Sequence, residues 1–171
     1  MPAQPWSIRP AFSTQQALTA PNKEFRPMNA ASTAVTYAAA SHPSHQKVVT
    51  SGWDFEATLE RLRQGVAEKD MWVIQEINPQ MLLERGGYSI LPARQLLFFH
   101  PRYVARLLAT DPSAVAEIPL KLVVMQMPDD SVTVRHNDVE SLFGRYPGLA
   151  ALASELSEIS QDLMKTVAQA G

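Results

Sequence analysis

The sequence predicts an α+β domain, a two-layer sandwich in which a mixed or antiparallel sheet carries amphipathic helices mainly on one face and closes with a long C-terminal helix. Three observations lead there. Short apolar runs rich in β-formers, such as "MWVIQEI" (71–77) and "QLLFF" (95–99), alternate with stretches whose apolar residues recur every three or four positions. Two further runs, "PLKLVVMQM" (119–127) and "SVTVRHN" (131–137), flank "PDD" and read as a β-hairpin, although the connection lacks the glycine a tight primed turn prefers. The last segment opens with Pro147 and sets Leu149, Leu152, Leu156, Ile159, Leu163 and Val167 on one stripe, the pattern of a long helix with one buried face.

Taken in order, residues 1–44 hold six of the thirteen prolines and a small-residue tract of Ala, Ser and Thr. Such a segment buries too little apolar surface to offset an ordering entropy of about 1–2 kcal/mol per residue, so a flexible Pro/Ala/Ser-rich arm is expected. Trp6, Phe12 and Phe25 are its potential anchors. Residues 45–171 then read as a single α+β domain. "KVVT" (47–50) is a short strand, and Asp54 can cap a helix whose Phe55, Leu59, Leu62 and Val66 share a face. Asn78-Pro79 closes the strand at 71–77, and Gly86-Gly87 and Pro92 punctuate the next connection. A helix from Pro101 to about Ala109 is expected to turn Val104, Leu107 and Leu108 inward and Arg102 and Arg106 outward, stopping before Asp111-Pro112. In the hairpin's second arm Val132, Val134 and His136 share one face, because strand side chains alternate.

Composition removes several function classes. Apolar residues at 46 % and charged residues at 19 % provide for a buried core. Fifteen basic against seventeen acidic side chains give a net charge of -2, so no overall field draws the molecule to nucleic acid or an anionic membrane. The absence of cysteine excludes disulfides, thiolate nucleophiles, Fe–S clusters, Cys-type zinc sites and covalently attached haem. No run approaches eighteen apolar residues, and "AASTAVTYAAAS" (30–41) is too polar for a signal h-region. The reading is a cytoplasmic protein without nucleic-acid or membrane partners. No nucleotide-binding, serine-hydrolase or zinc-protease motif occurs, and Glu76, Glu84, Asp111, Glu117 and Asp138 are scattered rather than paired, so catalysis is not indicated.

From about Gln46 to Ala168 the order of features resembles the domain of unknown function family DUF302. The resemblance is carried by "WDFEATLERLRQGV", "INPQMLLERGG", "LLFFHPRYVARLLATDPSAVAEIPLKLVV", "PDDSVTV" and the closing amphipathic helix, most specifically by the strand, X-Pro, helix, Asp-Pro and "IPLK" order of 96–121. It implies a small α+β fold that tends to pair into dimers, with no settled activity. Family members often carry Gly-Asn-Pro where this chain has "FHP", and a tyrosine near the hairpin end where it has "RHN". Asparagine before a helical proline is a strong N-cap, so histidine at that corner is either a weaker cap or present for its lone pair.

Those two histidines are the candidate site. His100 and His136, within one subunit or across a dimer, are candidate ligands for b-type haem or a transition metal, with Met125 or Met127 as an alternative axial thioether and Phe98, Phe99, Trp72 and Leu97 as an apolar wall. The plainer alternative is that a histidine at a strand end is a hydrogen-bonded boundary residue and a strand methionine fills core. A second hypothesis uses the free N–H groups of the helix after Pro101 as an anion seat, supplemented by His100, Arg102 and Arg135. His42 and His45 could bind metal only on a helix, which Pro43 opposes. The expectation is a non-catalytic small-ligand or cofactor-binding homodimer, the alternative an anion-binding or purely structural one.

Overall fold

The computed structural model describes residues 31–168. Its centre is a five-stranded antiparallel sheet. The elements are strand β1 (Thr33–Ala34), β2 (Gln46–Thr50), helix α1 (Phe55–Glu68), β3 (Trp72–Ile77), α2 (Pro79–Arg85), β4 (Tyr88–Ser89), β5 (Ala93–Phe99) and α3 (Pro101–Thr110). A 3-10 turn over Pro112–Glu117, β6 (Leu120–Gln126), β7 (Val132–Asn137), α4 (Val139–Phe143) and α5 (Ala150–Val167) complete them. The sheet runs in the order β2, β7, β6, β5, β3, and the two-residue strands β1 and β4 form a separate parallel pair.

Alternation along the strands divides the sheet into two faces. Leu96 and Phe98 of β5 lie opposite Leu122 and Leu120 of β6, and Val124 lies opposite Val134 of β7; all are buried. The helices cover this face. Phe55, Leu59, Leu62 and Val66 of α1 and Leu152, Leu156 and Leu163 of α5 join those strand residues in one core. Gly65 marks where the two helices approach, since a Cβ there would stand 3.0 Å from Leu163 Cδ2. Glu76, on the same face of β3, binds Arg63 of α1 through Nη2 at 2.8 Å.

Local chemistry explains the boundaries. Asp54 accepts from the Ala57 amide at 2.8 Å to start α1. The glycine-free hairpin turn works because Asp130 adopts φ 64°, and short polar side chains tolerate that region better than most. Two short helices were not expected from periodicity: α2, capped by Asn78, and α4, capped by Asp138. The long helix begins at Ala150 rather than Pro147, because Gly148 at φ +80° turns the chain out of a helical path. In α3 the inward residues are Tyr103 and Leu107, while Leu108 is 47 % exposed. The helix is rolled so that the Tyr103 ring enters the core, with Arg102 and Arg106 over its outer side.

The first thirty residues of the expected arm, with Trp6, Phe12 and Phe25, lie outside the described residues. Residues 31–45 are tied to the domain through their backbone. Thr33 and Val35 donate to the carbonyls of Gly87 and Ser89, Arg135 donates to the Ser41 carbonyl, and the Asp138 amide donates to that of His45.

Candidate functional site

A gap in the sheet builds the site. β6 and β7 pair only from Val123/Arg135 to Gln126/Val132. Beyond Arg135, β7 stays with β2, where Lys47 faces His136, while the start of β6 stays with β5, where Lys121 faces Leu97. The two strands therefore part company over Leu120–Leu122 and His136–Asn137. A cavity of about 350 Å³ occupies the opening, lined by Leu97 and Lys121 from one sheet face and by Phe98, Leu120 and His136 from the other. Val139 and Leu142 of α4 and Ser160 of α5 close its helix side, and Glu117 and Ile118 stand at its end. A second, more open cavity of about 660 Å³ lies between β2 and α5, lined by His42, Lys47, Val49, His136, Met164 and Lys165. His136 borders both.

The His136 side chain points with Val132 and Val134 toward the helix layer and is 7 % exposed. Its Nδ1 lies 2.6 Å from the carbonyl oxygen of Asn137; a carbonyl only accepts, so the proton is on Nδ1. Nε2 is then a bare lone pair, buried and without a hydrogen-bond partner among the described residues. Burial pushes the imidazole pKa below its ordinary value, with Lys47 acting in the same direction and the Asn137 carbonyl and Asp138 acting against it. The balance favours the neutral ring. A buried acceptor with nothing to accept from is disfavoured by a few kcal/mol at most, and in native proteins such groups are uncommon.

His100 has a different occupation. It ends β5 and serves as N-cap of α3, its Nδ1 accepting from the Arg102 amide at 3.1 Å, and its ring meets Trp72 edge-on at 5.0 Å between centroids. The sheet does not bring the two histidines together: His136 lies at the level of Leu122 and Leu96, two strands across from β5 and four residues short of His100, a separation of at least roughly 16 Å by strand geometry because β6 and β7 are already parted there.

The other expected contributors are also dispersed. Met125 projects from the sheet face opposite His136, beside Thr133, and Met127 begins the hairpin turn at the far end of β7, donating its amide to Ser131. Of the apolar wall, Phe98 faces the core while Leu97, Phe99 and Trp72 face the other side. Arg102 is ion-paired with Asp70 and lies over Tyr103, and Arg135 donates to Ser41, so both guanidiniums have internal partners. Three of the scattered carboxylates are engaged as well. Asp111 caps the 3-10 turn, Glu117 accepts from the Tyr146 hydroxyl at 2.6 Å, and Asp138 caps α4 while pairing with Lys47 at 3.0 Å.

Periodicity could not identify Met164, His42, Lys121 or Ser160 as neighbours of His136. Met164 is one of several apolar positions on α5, and the rest come from segments whose approach depends on the sheet gap and the crossing of 31–45. Among the described residues no three His, Asp or Glu side chains gather as a metal ion would require.

Comparison with known proteins agrees with this fold. No curated protein matches the chain. A solved structure, described as that of an uncharacterised conserved DUF302 protein from Bacillus stearothermophilus, superimposes with a TM-score of 0.68 at 20 % identity. The match covers 73 % of this chain and 99 % of the other, and at that identity it speaks for the fold alone. The family model for the domain of unknown function DUF302 matches residues 47–170, well over half of the sequence, and the chain therefore belongs to the DUF302 family.

Proposed function

We propose that this protein is a non-catalytic binder of a small ligand or cofactor, held at Nε2 of His136, with b-type haem the first cofactor to test. One observation carries the reading: His136 lines both cavities, with the Nδ1 proton held by the Asn137 carbonyl and Nε2 buried and without a partner among the described residues. Their volumes fall within the roughly 300–1,000 Å³ typical of small-molecule and cofactor sites. Haem suits the donor set better than a bare transition-metal ion, since it brings its own four nitrogens and asks the protein for one axial ligand. Met164, buried and lining the larger cavity together with His136, offers a thioether. The carboxylates around the site have partners of their own, which is why no proton-transfer role is assigned to them.

The test is an absorption spectrum of protein purified with haem supplied. Wild type and His100→Ala should show a Soret band, and His136→Ala should not. A wild type without the band removes haem, and a band that survives in His136→Ala removes this ligand.

A homodimer is the second reading, favoured by the β3 edge. Trp72, Val73 and Ile74 are 53, 38 and 43 % exposed on a strand with an open side, and such an edge is suited to a second copy. It requires a melting temperature that rises with protein concentration in wild type and not in Trp72→Glu. The same proposal puts the protein in the cytoplasm, which cell fractionation checks.

A further inference from the structure

The smaller cavity has different chemistry at its two sides. On the helix side it is lined by His136, whose acceptor Nε2 is buried and unpaired among the described residues. On the other, Lys121 stands exposed on the open sheet face, and no carboxylate lies within ion-pair distance of it among the described residues. Between them Leu97, Phe98, Leu120, Val139 and Leu142 form an apolar belt, interrupted by the polar side chains of Gln95, Asn137 and Ser160. Glu117, the one carboxylate in the lining, is turned to the Tyr146 hydroxyl. An aqueous solute made only of charge would leave this belt unfilled, and a hydrocarbon would leave His136 unpaired. At about 350 Å³ the space lies at the small end of ligand sites.

We infer that the cavity through the β6/β7 gap takes a small monocarboxylate with an apolar body and a hydroxyl or N–H at its far end, the carboxylate on Lys121 and the donor on His136. The inference rests on the reading of His136 as a ligand-binding residue and narrows it. Lys121 supplies a charge-assisted hydrogen bond to the carboxylate, and the bare Nε2 selects a donor over an acceptor because the ring has no second proton to give. An analogue lacking the donor leaves His136 as it is in the free protein and forgoes the gain.

Para-hydroxyphenylpropionate, its methyl ester and its phenolic methyl ether, titrated calorimetrically into the full chain, form the test. Wild type should bind the acid, with ester and ether each about tenfold weaker. Lys121→Met, an exposed substitution, should bind acid and ester alike, and His136→Phe, with folding verified by circular dichroism, should no longer distinguish acid from ether. Absence of binding to wild type overturns the inference, as does a Lys121→Met variant that keeps the full preference for the acid. Protein that gives a haem Soret band dependent on His136 yet ignores the acid retains a ligand at His136 but not this ligand class. Protein that binds the acid as described and takes no haem retains the class and loses the cofactor.

Discussion

Two hydrogen bonds set what the two imidazoles can offer: an amide donates to Nδ1 of His100, while Nδ1 of His136 donates to a carbonyl and leaves its other nitrogen bare. His100 thus serves as the N-cap of α3. His100→Ala should lower stability by about 0.5–2 kcal/mol in urea unfolding and His100→Asn should not, which separates capping from any dependence on imidazole. For His136 the sign of a pH effect follows from burial. Its native pKa is lowered, so the unfolded chain takes up the proton first; the stability that neutral His136 contributes is complete above about pH 6.5 and is lost as pH falls through that value toward the native one. A melting temperature that declines between about pH 7.5 and 5.5, with a shallower decline in His136→Phe, is the expected result. Acid effects from Asp162 belong lower, since Lys69 and Lys165 hold its carboxyl at about 2. That His136 faces the core was legible from its alternation with Val132 and Val134. Its unpaired nitrogen was not, because the tautomer depends on the local path of Asn137 and on which strands pair beyond Arg135.

At the scale of elements, the five strands of the central sheet and the three longer helices follow from composition and periodicity, which report burial averaged over several residues, whereas the two-residue strands β1 and β4 are too short for either to register. α2 buries no residue and α4 spans five, too short for a period to register; their signals were the caps Asn78 and Asp138, which also occur in turns. The roll of α3 was equally hidden, since Tyr103 and Leu108 lie on adjoining faces and only the surroundings choose between them. The turn between α4 and α5 depends on Gly148. At φ +80°, with a Cβ position 3.0 Å from Thr110 Cγ2, Gly148→Ala meets both backbone strain and a crowded neighbour. A loss of about 1–2 kcal/mol in chemical denaturation is expected, with cavity-lining Val139 and Leu142 of α4 the first side chains displaced.

Across the whole molecule, the β6/β7 ladder holds four residue pairs, against six between β5 and β6 and five between β2 and β7. The sheet is therefore two panels, β2 with β7 and β6 with β5 and β3, stitched along a short seam. Backbone amides of Leu120–Leu122 and His136–Asn137 that point across the opening should exchange with deuterium sooner than amides of the β5/β6 ladder, and a bound ligand should slow them. Prying the panels apart at that stitching breaks fewer ladder pairs than parting any other neighbours in the five-stranded sheet, which makes the opening at His136 the place where a guest of larger girth would meet least resistance.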